Sequence, residues 1–333
     1  MVEKATVVGI GAMGTVVSQI LATNGVRVAL VARDCEPVHE IFVSGENRRY
    51  LPGVKLSPQI TPTNDAPAAF RGAGLIISAI PCQYLRAEWQ RHAPRAPSGV
   101  PIGSVTKGLE IATLARPSQI IGELLPDHPI AVISGPTVAP ELARCLPATV
   151  VVASESPAVA QLFQQALGTA WFRVYTSHDV LGVELAGAVK NVVALAAGIL
   201  DGLHAGDNAK AALVTRGLVE ITRLGVALGA RPETFVGLAG VGDLVTTCVS
   251  PIGRNRSAGE KIGTGRTVDQ VVQDSAAVIE GIPTTRAVLQ LAARHGIEMP
   301  ITRAVYQVLF EGKPPLLAIT ELMRRPPKAE EPQ

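Results

Sequence analysis

The sequence predicts an α/β protein whose first part is a parallel sheet flanked by helices and whose second part is all-helical. Three observations carry that reading. Short β-branched runs at Thr6–Val8, Val26–Val31, Leu75–Ile80, Ile130–Ser134 and Val150–Ala153 alternate with helical windows and glycine-rich turns, the rhythm of βα units. From about Leu181 the strand signals stop and long helical windows follow, Glu184–Leu203 and then Asn208–Leu228. The chain has 333 residues, about twice a common domain length. The expected division is residues 1–180, residues 181–326 and a frayed tail at 327–333, where charge and proline replace apolar periodicity.

Composition narrows the function. Hydrophobic residues make up 47% and charged residues 17% of the chain, enough apolar material for a packed core. Lys plus Arg total 30 against 28 Asp plus Glu, a formal charge of +2, so no broad basic face for nucleic acid or acidic lipid is expected. Aromatic residues reach only 4%, too few for base-stacking platforms. Cys35, Cys82, Cys145 and Cys248 are scattered without a CxxC pair, which indicates neither metal nor disulfides and suits reduced thiols in cytoplasm. The apolar run after Met1–Lys4 is too short for a signal-peptide core. The longest apolar stretch, Val183–Leu200, is interrupted by Glu184, Lys190 and Asn191, so no membrane span is expected. A small-molecule enzyme fits best.

The first strand and helix carry the clearest motif. Gly9, Gly11 and Gly14 form G-I-G-A-M-G between the strand Thr6–Val8 and a helical run from Thr15 to Asn24. In this context the first glycine permits the tight turn, the second lets backbone approach a pyrophosphate, and the third allows close helix-to-strand packing. The helix N-terminus then offers unpaired N–H groups and a positive dipole end to phosphate. Residues 1–180 therefore read as a Rossmann-type NAD(P)-binding domain. The next strand ends at Arg33–Asp34. An arginine there suits the 2′-phosphate of NADP and a carboxylate suits the ribose hydroxyl of NAD. Arg33 tilts the reading toward NADP, with NAD tolerated.

Further along, the loops Ser104–Glu110 and Ser134–Ala139 each follow an apolar strand. Ligands bind outside strand C-termini in such sheets, so Lys107 and the Gly135–Ala139 loop should border the nicotinamide. In the helical part, Lys190 and Asn191 sit in an otherwise apolar window lined with small residues that let something approach closely. Burial lowers a lysine's pKa, as a proton donor working near neutral pH requires. In the next window Val214, Leu218, Ile221, Leu224 and Leu228 recur at steps of three or four, marking one buried face. Asp243 lies in a glycine-rich turn followed by Gly253, Arg254, Asn255 and Arg256. Arg254, Asn255 and the glycine backbone suit a phosphate, and Asp243 can orient an ammonium and hold a hydroxyl. Arg256 reads as a solvated charge.

Taken together, Thr106–Glu110, Ser134–Thr137, Glu184–Asn191, Asn208–Gly217, Gly242–Cys248, Arg254–Arg256 and Val278–Gly281 resemble the bacterial NAD(P)-dependent glycerol-3-phosphate dehydrogenases, over about Val7 to Arg325. The resemblance implies reversible reduction of dihydroxyacetone phosphate to sn-glycerol 3-phosphate, a phospholipid precursor. It implies that Lys190 exchanges the proton, while Lys107 and Asn191 polarise and place the carbonyl. Asp243, Thr247, Gly253, Arg254 and Asn255 would surround the substrate, joined by Gly135 and Thr137. The cofactor would meet Ala12, Met13, Arg33, Tyr50, Ala139, Val278 and Glu280 besides the glycine loop, with Lys107, Lys190 and Arg254 close to both ligands.

The chain departs from the family's pattern in places. Ala12 and Met13 replace polar and aromatic members of the glycine loop, where backbone contacts should survive. Gly253 stands where serine is common, which removes a hydroxyl but should leave the backbone N–H available. Val138 and Pro140 replace the usual phenylalanine and lysine. Two other readings stay open: a related reductase acting on another carbonyl or imine, such as ketopantoate, and a cofactor-binding protein without turnover. A homodimer is expected.

Overall fold

The computed structural model describes residues 2–275, 277–327 and 329–330. Eight strands form one sheet: β1 (Lys4–Val8), β2 (Arg27–Val31), β3 (Ile60–Thr63), β4 (Leu75–Ser78), β5 (Ile102–Ser104), β6 (Ile130–Ser134), β7 (Ala148–Ala153) and β8 (Phe172–Ser177). Their order is β3-β2-β1-β4-β5-β6-β7-β8. Alternate residues of β4 serve different cores, Leu75 and Ile77 one cluster and Ile76 another, because successive strand side chains point to opposite faces. Both faces are therefore covered by helices, as a mostly parallel sheet requires.

The sheet is parallel, as expected, except at one place, where β7 runs antiparallel to β6. The connection from Gly135 to Pro147 contains only the short helix Ala139–Ala143. That helix is too short to carry the chain back along the sheet for a parallel crossover. β3 and β8, which were not read from sequence, are the two edge strands. Their sequences, ITPT and FRVYTS, mix polar residues into a half-exposed pattern that dilutes the apolar signal.

The order in which strands are added reverses between the parallel neighbours β1 and β4, from which the sheet grows both ways. The glycine loop lies at this switch point. Gly9 has a φ of +113°, and a Cβ there would stand 2.6 Å from Ala79 O just past β4. A Cβ on Gly14 would stand 1.9 Å from Gly9 O, whereas one on Gly11 would meet nothing within 4 Å. Two glycines thus close the turn and dock the helix Ala12–Thr23, and the third leaves space above the backbone. Asn47 stiffens the loop from outside, donating to Ile10 O at 2.6 Å and Thr15 Oγ1 at 2.8 Å while accepting from Tyr50 N.

Among the described residues no strand follows Ser177. The helix Val180–Gly202 runs through the middle of the second half with 20 of its 23 residues buried. It is long and apolar enough to cross a membrane, yet its apolar residues on all sides are covered by protein, as expected of a core helix. The helix Arg254–Gly263 packs backbone to backbone on it. A Cβ on Gly198 would stand 1.9 Å from Arg256 O, and one on Gly259 would stand 2.0 Å from Leu195 O. In the helix Asp207–Ala227, Ile221 and Leu224 are buried and Val214, Leu218 and Leu228 pack beside them, matching the expected face. The described tail residues 327 and 329–330 are exposed outside any helix or strand, while Lys328 and 331–333 lie outside the described residues.

This packing has a direct test. Gly198→Val should destabilise the protein by about 3 kcal/mol in urea denaturation, because backbone faces the new atoms and cannot yield as a side chain would. Gly11→Ala should change stability by less than about 0.5 kcal/mol.

Candidate active site

Lysines from both halves converge on one carboxylate. Asp243 is buried, with a side chain 2% exposed, and opens the helix Asp243–Val249. Its Oδ1 lies 2.7 Å from Lys190 Nζ and its Oδ2 lies 2.6 Å from Lys107 Nζ. Lys190 also donates to Thr247 Oγ1. Thr247 in turn donates to Asp243 O at 2.6 Å. Lys107 reaches Gly135 O at 3.0 Å and Thr137 Oγ1 at 3.5 Å. Six residues expected from sequence thus form a single hydrogen-bonded network: Lys107, Gly135, Thr137, Lys190, Asp243 and Thr247.

Small residues on the central helix make the convergence possible. A Cβ on Gly187 would stand 2.7 Å from Ser134 Oγ and 3.6 Å from Lys107 Cγ. The end of β6 and the Lys107 side chain are therefore what approach the helix here. Lys190 does not snorkel, since its side chain is 6% exposed. Burial lowers its pKa to about 8, Asp243 opposes the shift, and the neighbouring Lys107 ammonium adds to it.

Asn191 and Asn255 pair at the adjoining turn. Asn255 Nδ2 donates to Asn191 Oδ1 at 3.0 Å, and its Oδ1 accepts from Gly281 N at 2.9 Å. The carbonyl end of Asn191 is thereby engaged, so its NH2 is the end left for a ligand. Arg254 stands at the start of the helix Arg254–Gly263, exposed, with Nη1 3.2 Å from Val278 O. Two sequence expectations are corrected nearby. The backbone N–H of Gly253 is not available to a ligand, because it donates to Ser250 O at 3.1 Å. A Cβ at 253 would lie 3.1 Å from that same oxygen, so glycine suits this tight turn. Arg256 is not a solvated charge. Its Nε lies 2.7 Å from Asp201 Oδ2, and its side chain is 13% exposed.

Several expected cofactor contacts line the mouth of the glycine loop. Ala12 and Met13 form the first turn of its helix. Met13 and Ala139 pack on the same apolar cluster. Pro140 is exposed in the first turn of the helix Ala139–Ala143, where proline fits without cost to a hydrogen bond, and Val138 is the residue before it. Tyr50 is tied to the glycine loop through Asn47. Glu280 Oε1 accepts from Cys82 N at 3.1 Å, while its buried Oε2 has no hydrogen-bond partner among the described residues. Burial raises the Glu280 pKa to about 7. Arg33 and Asp34 join no network in this cleft. The Arg33 side chain is 68% exposed with Glu88 3.7 Å away, and Asp34 precedes the helix Cys35–Ser44 without capping it.

Residues not singled out from sequence also shape the site. Asn47 braces the glycine loop, and Asp201 holds both Arg256 and Lys210, the latter at 2.5 Å. The readable signal was the glycine spacing: Gly198 and Gly202 on one helix, Gly259 and Gly263 on the other, are each four apart, the interval that lets two helix backbones touch.

The chain matches the family model of the NAD-dependent glycerol-3-phosphate dehydrogenase N-terminus over residues 4–160 and that of the C-terminus over residues 179–320. It is 46% identical over 333 residues to a glycerol-3-phosphate dehydrogenase [NAD(P)+] of Geobacter sp. (strain M21), covering 99% of each chain. The corresponding protein of Moorella thermoacetica is 46% identical over 326 residues, covering 98% of this chain and 97% of its own. Among solved structures, glycerol-3-phosphate dehydrogenase from Coxiella burnetii superposes with a TM-score of 0.94 at 37% identity, over 97% of this chain and 99% of that one. With the two lysines on one carboxylate beside a dinucleotide loop, these likenesses place the chain in the NAD(P)-dependent glycerol-3-phosphate dehydrogenase family.

Proposed function

We propose that the protein catalyses the reversible reduction of dihydroxyacetone phosphate to sn-glycerol 3-phosphate, feeding glycerophospholipid synthesis. The observation that carries this reading is the pair of ammonium groups from separate halves held by one buried Asp243. We assign residues 1–180 to cofactor binding and 181–326 to substrate and proton transfer.

The cleft fits a dinucleotide. Space above Gly11, the free N-terminus of the helix Ala12–Thr23 and the unpartnered Glu280 Oε2 are features a bound NAD(P) would use. Gly9, Gly11, Ala12, Met13 and Gly14 would hold the pyrophosphate, and Tyr50, Lys107, Ala139, Arg254, Val278 and Glu280 the remainder. The cofactor, when bound, supplies or accepts a hydride. NADPH is the favoured form, because the exposed Arg33 guanidinium is available to a 2′-phosphate.

The substrate phosphate is placed at Arg254 and the start of its helix, where the first N–H groups lack helical partners. Asn191 offers its NH2 to the substrate oxygens, with Asn255 fixing the orientation of that amide. Lys107 polarises the carbonyl from the sheet side, near Gly135 and Thr137. Lys190 gives its proton to the alkoxide as the carbonyl is reduced and takes it back in oxidation. A pKa near 8 makes it a stronger acid than an exposed lysine while leaving it largely protonated at neutral pH. Asp243 keeps the two ammonium groups close together.

The four thiols are free, which supports a reducing, cytoplasmic setting. Val236, Val245, Val249 and Ile252 expose apolar surface on the helical half, which supports the expected homodimer.

Mixing the protein with NADPH and dihydroxyacetone phosphate should consume NADPH rapidly, with little turnover on unphosphorylated dihydroxyacetone. Equal rates on both would contradict the phosphate assignment. Lys190→Ala should lower kcat by about 10²–10⁴-fold with NADPH binding retained. Arg254→Ala should raise the KM for dihydroxyacetone phosphate by roughly tenfold or more, from loss of a charge-assisted contact. In the direction of reduction the donor is the protonated lysine, so kcat should fall as pH rises through about 8. In oxidation the acceptor is the neutral amine, so kcat should rise through the same value. Rates flat from pH 7 to 9.5 in both directions would refute Lys190 as the titrating group.

A further inference from the structure

Glu184 lies six residues before Lys190 on the same helix, about 9 Å along its axis at 1.5 Å per residue. Its carboxylate, with a side chain 2% exposed, is saturated by donors from the first half. Oε1 accepts from Ser118 N at 2.8 Å. Oε2 accepts from Ser118 Oγ at 2.6 Å and from Arg116 Nη1 at 2.5 Å. Arg116 and Ser118 stand at the N-terminus of the helix Pro117–Leu124, where a carboxylate gains from the unpaired backbone N–H groups as well. Burial raises the carboxyl pKa, and these donors oppose that shift only in part.

The donors belong to the same segment that delivers Lys107. Between Lys107 and Arg116 the chain inserts Leu109 and Leu114 into the apolar cluster of the helical half. Leu114 is held at a φ of +65°, a left-handed conformation costly for a leucine and kept only where the surroundings dictate it. Glu110 pins the middle of the segment, accepting from Arg86 Nε at 3.0 Å and Thr113 Oγ1 at 2.5 Å. On the helix, Glu184, Gly187 and Asn191 fall at i, i+3 and i+7, one face. That face meets Ser118, then Ser134 and Lys107, then Asn255.

We infer that Glu184, clamped by Arg116 and Ser118, is a positioning residue that sets the rotation and height of the central helix against the sheet. It thereby fixes where Lys190 stands relative to Lys107. Glu184 touches neither reacting atoms nor cofactor in this assignment. It acts through Lys190, because a helix turned or shifted by a fraction of a turn would carry that ammonium away from the carbonyl polarised by Lys107. The inference rests on the dehydrogenase reading above.

The test compares wild type with Arg116→Ala, Ser118→Ala and Glu184→Gln, and with Arg116→Lys as the conservative variant. Four quantities are read at 25 °C on folded protein: kcat, KM for dihydroxyacetone phosphate, the NADPH dissociation constant from fluorescence without substrate, and the kinetic isotope effect with NADPH deuterated at the transferred position. Melting temperature is recorded separately. Arg116→Ala and Glu184→Gln should lower kcat by about 10- to 100-fold, the scale of a small misplacement of a reacting group. NADPH affinity and KM should stay within about threefold, and the isotope effect should rise as hydride transfer becomes limiting. Arg116→Lys should recover part of the rate. Ser118→Ala removes only a hydroxyl, so it keeps the test open if a charged variant fails to fold. Variants that melt earlier yet keep wild-type kcat and isotope effect would overturn the inference and leave the cluster a stabilising contact. A wild-type protein that does not oxidise NADPH with dihydroxyacetone phosphate would overturn the functional reading itself.

Discussion

The whole site depends on burying one carboxylate between two ammonium groups. Asp243 and Lys190 are nearly removed from water and Lys107 is partly so, and a charge taken out of water is costly unless geometry and hydrogen bonds compensate. Here each carboxylate oxygen meets one ammonium, Gly135 and Thr137 accept from Lys107, and Thr247 accepts from Lys190. The group keeps one net positive charge in a confined space. That excess suits an anionic substrate and a developing alkoxide, while burial, opposed by Asp243, is what makes Lys190 a stronger acid than an ordinary lysine.

Holding that triad demands close approach between halves with different architectures. The central helix supplies it by presenting glycine and alanine where other elements press against it. At one end Gly187 admits Ser134 and Lys107, and at the other Gly198 admits the backbone of the helix that begins with Arg254. Arg254, Asn255 and Lys190, the residues proposed for the substrate phosphate and the proton, are therefore placed by the same helix. Glu184 ties that helix to the segment bearing Lys107, and Glu280 adds a second tie between the halves through Cys82 N.

Much of this arrangement was legible in the amino-acid order, for identifiable reasons. The G-I-G-A-M-G loop reads directly because each glycine answers a separate steric demand, and the distances at Gly9, Gly11 and Gly14 match those demands. Lys190 stood out as a charge in an apolar window. What stayed hidden depends on contacts between residues far apart in sequence. The antiparallel β7 is invisible to strand patterning, which carries no direction. Arg256 reads as solvated until Asp201, on another helix, is brought beside it. The free N–H attributed to Gly253 is lost to a local turn through Ser250. Glu184 and Arg116 are separated by 68 positions, and neither residue's pattern names the other.

The account's central claim is that burial and Asp243 together set the acidity of Lys190. The most direct measurement is an NMR titration of the protein labelled with carbon-13 at lysine Cε, with the Lys190 resonance assigned by its loss in Lys190→Arg. The account predicts a resonance titrating near 8 that moves to lower pH in Asp243→Asn, where the neighbouring carboxylate no longer favours the ammonium. A Lys190 resonance titrating at the ordinary lysine value of 10.5, unmoved by Asp243→Asn, would contradict it.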